Sequence, residues 1–142
     1  MHLEEFRTNR VLPAITIAAS DYPRLLALAE AAAGSLPQVS DYLARELGRA
    51  EVVADEECAA DVVRIGSRVT YRDGLNGLPR TVMVVWPHEA DVERGLLGVR
   101  TPIGAALLGM RPGQAIDWPS PVGGPRTLTV LAVSNGTALT AT

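Results

Sequence analysis

Side chains that could act as nucleophiles or metal ligands are few in this chain, and their spacing does not favour catalysis. The only cysteine, Cys58, and the two histidines, His2 and His88, do not show the short spacings of metal-ligand sets. The hydroxyl of Ser67 has no recognisable histidine and aspartate partners that would activate it as a nucleophile. The sequence therefore predicts no catalytic residue, no bound metal and no cofactor.

Carboxylates are the remaining groups with possible chemistry, because converging acidic side chains bind hard cations such as Mg²⁺. Residues 33–37 interrupt the helical pattern, and we call them the break. Glu30 and Asp41 lie about one helical turn from it, one on each side. The break contains Ser35 but no acidic residue, and a single displaced acid is a poor metal site. Asp41 also fits a structural role, since an acid near a helix start favours the helix dipole and can pair with Arg45. Both interpretations of Asp41 stay open.

Two predicted helices position these carboxylates. Apolar residues recur at helical spacing from Tyr22 to Ala33 and again from Gln38 to Ala50, on either side of the break. Helices of about 12–15 residues are marginal alone in water, so we expect their apolar faces to pack on each other or on the rest of the protein. The prediction is an antiparallel helical hairpin, preceded by a short strand or arm at 14–18.

The remainder of the chain alternates with period two and predicts a sheet. The predicted strands cover 62–65, 68–72, 81–86, 96–99, 114–118 and 127–133. The fold class is α+β, a short N-terminal antiparallel helical hairpin followed by an antiparallel sheet domain with one short helix. The expected divisions are a flexible tail at 1–13, the arm and hairpin at 14–57, and the sheet domain at 58–142, with a frayed end from 134.

The one short helix begins at a Thr-Pro pair. Thr101 can cap it, Pro102 suits its first position, and Gly109 suits its end. The intervening residues are rich in alanine and leucine, and a Pro-Gly turn follows at 112–113. These residues predict a short, buried helix within the sheet domain.

Composition narrows the function classes. The 142 residues carry a net charge of −3, which disfavours direct, sequence-specific nucleic-acid binding. No apolar run is long enough to span a bilayer, and the first residues lack the apolar core of a signal peptide. A single cysteine fits a reducing compartment. We therefore expect a cytoplasmic protein, without membrane association and monomeric.

Three segments of the sheet region resemble the C-terminal domain of the bacterial Gre transcript-cleavage factors. The segments are 65–69, 84–90 and 101–109, the last with Pro112-Gly113 after it. They match, in order, a Gly-Ser before a strand, a strand ending near Glu-Ala, and a Thr-Pro helix rich in Ala-Leu-Leu-Gly. Gln114 stands where that family usually has an acidic residue. The resemblance implies an FKBP-like fold.

The N-terminal half is similar to the Rnk-like branch of the same family, whose hairpin is shorter than the Gre coiled coil. The similarity rests on Leu36-Pro37 followed by Asp41, Leu43 and Glu46-Leu47. It implies a protein that binds RNA polymerase at the secondary channel, with the sheet domain at the rim and the hairpin pointing inward. It also implies competition with Gre factors and a link to the regulation of nucleoside diphosphate kinase.

The resemblance also nominates site residues. The hairpin-tip candidates are Glu30, Ser35 and Asp41. The polymerase-docking candidates are Thr101, Pro102, Ile103, Leu107, Leu108, Met110 and Arg111.

Gre factors carry a close pair of acidic residues at the hairpin tip, which helps to hold a second Mg²⁺ in the polymerase active site. This chain has no acidic residue at 33–37, so we expect a non-catalytic regulator. The alternatives are a Gre-like factor that stimulates transcript cleavage and an FKBP-like protein-interaction or prolyl isomerase module. Aromatic residues are only 4% of the chain, which disfavours an isomerase pocket.

Overall fold

The computed structural model describes residues 13–31, 34, 37–74, 77–119 and 125–135. Most of the two predicted tails, residues 1–12 and 136–142, lies outside these residues. The helices are α1 (Tyr22–Ala31), α2 (Pro37–Arg49) and α3 (Pro102–Leu107). The strands are β1 (Thr16–Ala18), β2 (Glu51–Val53), β3 (Ser67–Asp73), β4 (Pro79–Val85), β5 (Leu96–Gly98), β6 (Ala115–Pro119) and β7 (Pro125–Asn135). Among the described residues, no helix combines the length and apolar character needed to cross a bilayer.

The helical hairpin starts and ends on a small parallel sheet. Strand β1 precedes α1, β2 follows α2, and the two strands pair in parallel with Thr16 opposite Glu51. The hairpin therefore acts as the crossover that a parallel pair requires. Strand β2 was not predicted, because it has three residues and only its pairing with β1 makes it a strand.

The second sheet has five strands in the order β5-β4-β3-β7-β6. Three of its pairings are antiparallel, as predicted, but β4 and β5 run parallel. The sheet is therefore mixed, which corrects the expectation of an antiparallel sheet. The reason is the connection at 86–95, where two short 3₁₀ turns bring the chain back before β5 begins.

Two further predictions differ from the structure. The expected strand at 62–65 is not formed: Val62 and Val63 are buried in an irregular segment. Their apolar character reflects burial and not a strand, a distinction that a short apolar run does not make. Strand β7 extends through Ser134 to Asn135, beyond the expected start of the frayed end.

A single hydrophobic core joins the hairpin to the sheet. Its residues include Ile15 just before β1, Ile17 in β1, Leu25 on α1, Leu43 and Leu47 on α2, Val69 and Tyr71 on β3, and Leu107 on α3. All of these side chains are at most 3% exposed. The apolar faces of the two helices are thus buried against each other and the sheet domain, as the short helix length requires.

Gly109 is the residue at which three chain segments meet. Its carbonyl accepts a hydrogen bond from the Thr16 amide at 3.1 Å, and its amide donates to the Val63 carbonyl at 3.0 Å. The next residue, Met110, accepts from the Val63 amide at 2.9 Å. Gly109 has a φ of +80°, and a Cβ there would lie 2.9 Å from the Ile15 Cβ. Only glycine fits both the backbone conformation and the close approach.

Charged and polar side chains close the base of the hairpin. Asp55 accepts hydrogen bonds from both the amide and the hydroxyl of Ser20. Arg64 forms an ion pair with Asp21 at 3.1 Å and a longer one with Asp55 at 3.9 Å. The two hydrogen bonds from Ser20 are the main reason that the pKa of Asp55 is lowered, with the Arg64 charge adding to them.

Gly109→Ala is expected to lower the free energy of unfolding by about 2–4 kcal/mol, because alanine strains the left-handed backbone and overlaps Ile15. Gly113 also has a positive φ, +90°, but open space beyond its Cα. Gly113→Ala should therefore cost only the backbone component, about 1 kcal/mol. Urea unfolding of the three proteins measures the difference, and equal losses in both variants would show that the close approach contributes nothing.

Acid should destabilise the protein partly through Asp55. Its lowered pKa means that the folded state favours the carboxylate, so this stabilisation is present above the unfolded pKa, about 4, and is lost as the pH falls through the folded pKa. Asp55→Asn should lose less stability than the parent between about pH 6 and pH 3. Unfolding midpoints across this range test it, with the exposed neighbour Glu56→Gln as the charge-matched control. An identical acid response in both variants contradicts the assignment.

Candidate functional site

Helix α3 begins at a side-chain cap, as predicted. The Thr101 hydroxyl accepts a hydrogen bond from the Gly104 amide at 3.1 Å and donates one to the Gly98 carbonyl at 2.7 Å. Pro102 occupies the first helical position, where its missing N–H costs nothing. A Cβ at Gly104 would lie 2.2 Å from the Gly98 carbonyl oxygen. The glycine thus lets α3 lie directly against the end of β5.

The seven docking candidates divide into buried and accessible residues. Leu107, Leu108 and Met110 are at most 3% exposed and belong to the core. A partner cannot touch them while the protein is folded, so on this segment the accessible surface lies elsewhere. It is formed by half-buried Thr101, Pro102 and Ile103 and by exposed Arg111. Arg111 forms an ion pair with Asp61 at 3.2 Å.

The turn at 87–89 lies against Gly98, whose carbonyl accepts a hydrogen bond from Thr101, the cap of α3. Its conformation is supported by Glu89, whose carboxylate accepts a hydrogen bond from the Trp86 amide at 3.3 Å. A Cβ at Gly98 would lie 3.4 Å from the Ala90 Cβ and 3.7 Å from the Pro87 Cα. The structure therefore brings together two segments that the sequence analysis treated as separate motifs. We call the surface formed by 86–90 and 98–103 the docking end.

The docking end also contacts the hairpin. The Arg24 guanidinium, on α1, lies 4.2 Å from the centre of the Trp86 ring, a distance that allows a cation–π interaction. Arg24 and Trp86 are far apart in the sequence, and no local pattern marks them as partners. The base of the hairpin is thus joined to the docking end through a direct side-chain contact that sequence reasoning missed.

The hairpin-tip candidates are only partly described. Glu30, near the end of α1, and Asp41, in the second turn of α2, are both exposed, and Ser35 lies outside the described residues. The two helices are held together by apolar packing and by the Ser40 hydroxyl, which donates to the Ala29 carbonyl at 2.6 Å. Within the described part of the chain, Asp41 and Arg45 form no ion pair, and no three His, Cys, Asp or Glu side chains cluster as metal ligands.

The side chains of Cys58 and Ser67 could react, but burial lowers the reactivity of the first and hydrogen bonds occupy the second. Burial raises the pKa of the Cys58 thiol, which makes the reactive thiolate less populated. The Ser67 hydroxyl is fully buried, accepts from the Arg64 amide at 2.7 Å and donates to Asn135. Asn135 in turn donates to the Val62 carbonyl. Ser67 and Asn135 hold the irregular segment before β3 against the end of β7.

Gln114 tethers the start of the hairpin to the sheet domain. Its side-chain oxygen accepts from the Arg111 amide at 2.9 Å, and its side-chain nitrogen donates to the Ala14 carbonyl at 3.1 Å. An acidic residue could make only the first of these contacts, because a carboxylate has no hydrogen to donate. The amide therefore serves the attachment of the arm.

Two family models match this chain. The model of the C-terminal region of the transcription elongation factors GreA and GreB covers residues 58–135. The model of the Rnk N-terminus covers residues 13–53.

Individual relatives agree with both matches. The regulator of nucleoside diphosphate kinase of Escherichia coli K12 is 38% identical over 84% of this chain and 88% of its own length. The transcription elongation factor GreA of Acidiphilium cryptum is 33% identical over 63% of this chain but only 57% of that protein. A solved structure, titled a prokaryotic transcription elongation factor GreA/GreB from Nitrosomonas europaea, is 35% identical. It superposes with a TM-score of 0.66, covering 86% of this chain and 98% of that one.

The two family models together cover the segments that build the hairpin and the docking end. The chain belongs to the GreA/GreB family of transcription elongation factors, in the branch that carries the Rnk N-terminus.

Proposed function

We propose that this protein is a non-catalytic regulator that binds RNA polymerase at its secondary channel and competes there with Gre factors. The observation that carries the proposal is a helical hairpin anchored on a sheet domain that matches the GreA/GreB C-terminal family model, in a fold similar to a solved GreA/GreB structure at 35% identity. In the proposed complex the docking end meets the rim of the channel and the hairpin points inward. We assign the sheet domain an FKBP-like fold and expect the protein to act as a monomer in the cytoplasm.

The geometry of the docking end supports a role in binding. Pro102 and Ile103 are half-buried apolar residues of this surface, and His88 and Glu89 are exposed polar residues of its other segment. An apolar centre with a polar rim is the usual anatomy of a protein interface. Close packing of α3 against β5 at Gly104 holds this surface in one conformation before a partner binds.

The hairpin supports the non-catalytic part of the proposal. Its two described acidic candidates lie on different helices, and among the described residues no group of three His, Cys, Asp or Glu side chains is placed to hold a metal ion. A hard cation such as Mg²⁺ needs several oxygen ligands in near-octahedral geometry. By analogy with the Escherichia coli regulator of nucleoside diphosphate kinase, we propose that binding to the polymerase influences the production of that kinase.

Binding to the cognate polymerase should be direct and should depend on the docking end. Ile103→Lys is expected to weaken binding about tenfold, because it places a charge in the apolar centre of the interface. Leu78→Lys controls for the added charge, since Leu78 is 64% exposed and precedes β4 at the other end of that strand; because Ile103 also packs against the core, the unfolding midpoint of Ile103→Lys is measured beside its binding. Pull-down with core polymerase, competed by a Gre factor, measures both. No binding of the parent protein at micromolar concentration and low salt contradicts the proposal.

Addition of the protein to backtracked elongation complexes with Mg²⁺ should not stimulate transcript cleavage. A lone exposed Asp41 supplies too few ligands for a second metal ion. Cleavage that disappears in Asp41→Asn but persists in Glu56→Gln, outside the hairpin, would establish the alternative of a Gre-like cleavage factor. Gel analysis of the shortened transcript gives the readout.

A further inference from the structure

The five-stranded sheet has one covered face and one open face. Inward-pointing residues of β3, such as Val69 and Tyr71, are buried in the core. The alternate residues, Arg68, Thr70 and Arg72, point the other way because successive side chains of a strand lie on opposite faces. Arg68 and Arg72 are exposed, and Thr70 is partly so. We call this side of β3 and the neighbouring strands the outer sheet face.

Strand register extends the outer sheet face on both sides of β3. Arg68 lies opposite Met83 of β4, which lies opposite Leu96 of β5, and Thr70 lies opposite Thr81. The Thr70 and Thr81 hydroxyls are hydrogen-bonded at 2.8 Å. On the other side, Ala132 and Ser134 of β7 are paired with Thr70 and Arg68. The face is therefore shallow and built largely of small and mid-sized side chains, with the two arginines projecting from its central strand.

The three central strands of this face, β4, β3 and β7, carry positive charge through two arginines, although the chain as a whole carries −3. The described residues in register with Arg68, Thr70 and Arg72 include no carboxylate. On the edge strand β6, the Asp117 carboxylate lies on the same side of the sheet and accepts a hydrogen bond from the Thr127 hydroxyl at 2.8 Å. Neither arginine takes part in an ion pair with the described residues. The two side chains start from positions about 13 Å apart along β3. Two guanidiniums without an ion pair among the described residues, the first of them opposite apolar Met83, form a surface complementary to acidic side chains.

We propose that the outer sheet face is a second docking surface, which receives an acidic segment of RNA polymerase while the docking end makes the apolar contact. The inference rests on the proposed function in taking the polymerase as the partner. Carboxylates of the partner pair with Arg68 and Arg72, and apolar side chains between them rest on the threonines and Met83. Contacts at both surfaces fix the orientation of the hairpin, because a protein held at two separated points cannot rotate about either contact.

Other occupants fit the face less well. Nucleic-acid binding faces combine extended basic tracks with aromatic stacking platforms, and the described outer positions offer two arginines and no aromatic side chain. A second copy of this chain that docked through the same face would bring arginines close to arginines, and this repulsion is unfavourable. An acidic protein segment matches both the charge and the shallow shape.

Binding of single charge reversals to cognate core polymerase tests the proposal. Arg68→Glu and Arg72→Glu should each weaken binding about five- to tenfold at low salt, with the difference shrinking as salt is raised. Arg68→Lys and Arg72→Lys should stay within about twofold of the parent, since they keep the charge. Arg80→Glu is the matched control, because exposed Arg80 lies opposite Tyr71 and so on the other side of β4 from the outer sheet face. It should leave binding unchanged.

The outcomes separate this inference from the proposed function. If the parent protein does not bind the polymerase, the proposed function fails and this inference fails with it. If the parent binds but Arg68→Glu and Arg72→Glu bind equally well, or Arg80→Glu weakens binding as much, only the second docking surface is overturned. It is also overturned if the two reversals abolish retention of RNA, or shift a dimer to a monomer in sedimentation, without changing the affinity for polymerase.

Discussion

The attachment of the arm at Gly109 is the contact on which the arrangement of hairpin and sheet depends. One glycine accepts a hydrogen bond from Thr16 and donates one to Val63, so a single peptide position joins the base of the hairpin, the segment before β3 and the end of α3. The joint needs a positive φ and no Cβ, since Ile15 fills the adjacent space. Because β1 also pairs with β2, both ends of the hairpin are held at this point.

Polar contacts around this joint give the hairpin its direction. Gln114 holds the arm at Ala14, Arg64 holds the start of α1 through Asp21, and Arg24 of α1 lies over Trp86 at the docking end. The partly exposed ion pair between Arg64 and Asp21 contributes little to stability by itself. Together, the three contacts restrict how the hairpin can tilt relative to the surfaces that we propose meet the polymerase.

Much of the fold could be predicted from local patterns. The helical spacing from Tyr22 to Ala29, the alternation in β3 and β7, and the cap at Thr101 all depend on residues a few positions apart. The predictions failed where the structure of a segment depends on a partner far away in the sequence. Strand β2 exists through its pairing with β1, and the parallel direction of β5 follows from the path at 86–95. Val62 and Val63 are buried without becoming a strand, since the backbone hydrogen bonds of Val63 go to Gly109 and Met110.

The sequence by itself determined the helical hairpin, most strands, the capped helix and the family resemblance, because each is written in neighbouring residues or in short motifs. Only the tertiary structure decided which candidates a partner can reach. Leu107, Leu108 and Met110 are as apolar as surface anchors would be, and their burial depends on elements from three other parts of the chain. The contact of Arg24 with Trp86 and the open position of Arg68 and Arg72 have the same origin. They depend on how strands and helices pack, and a one-dimensional pattern does not contain that information.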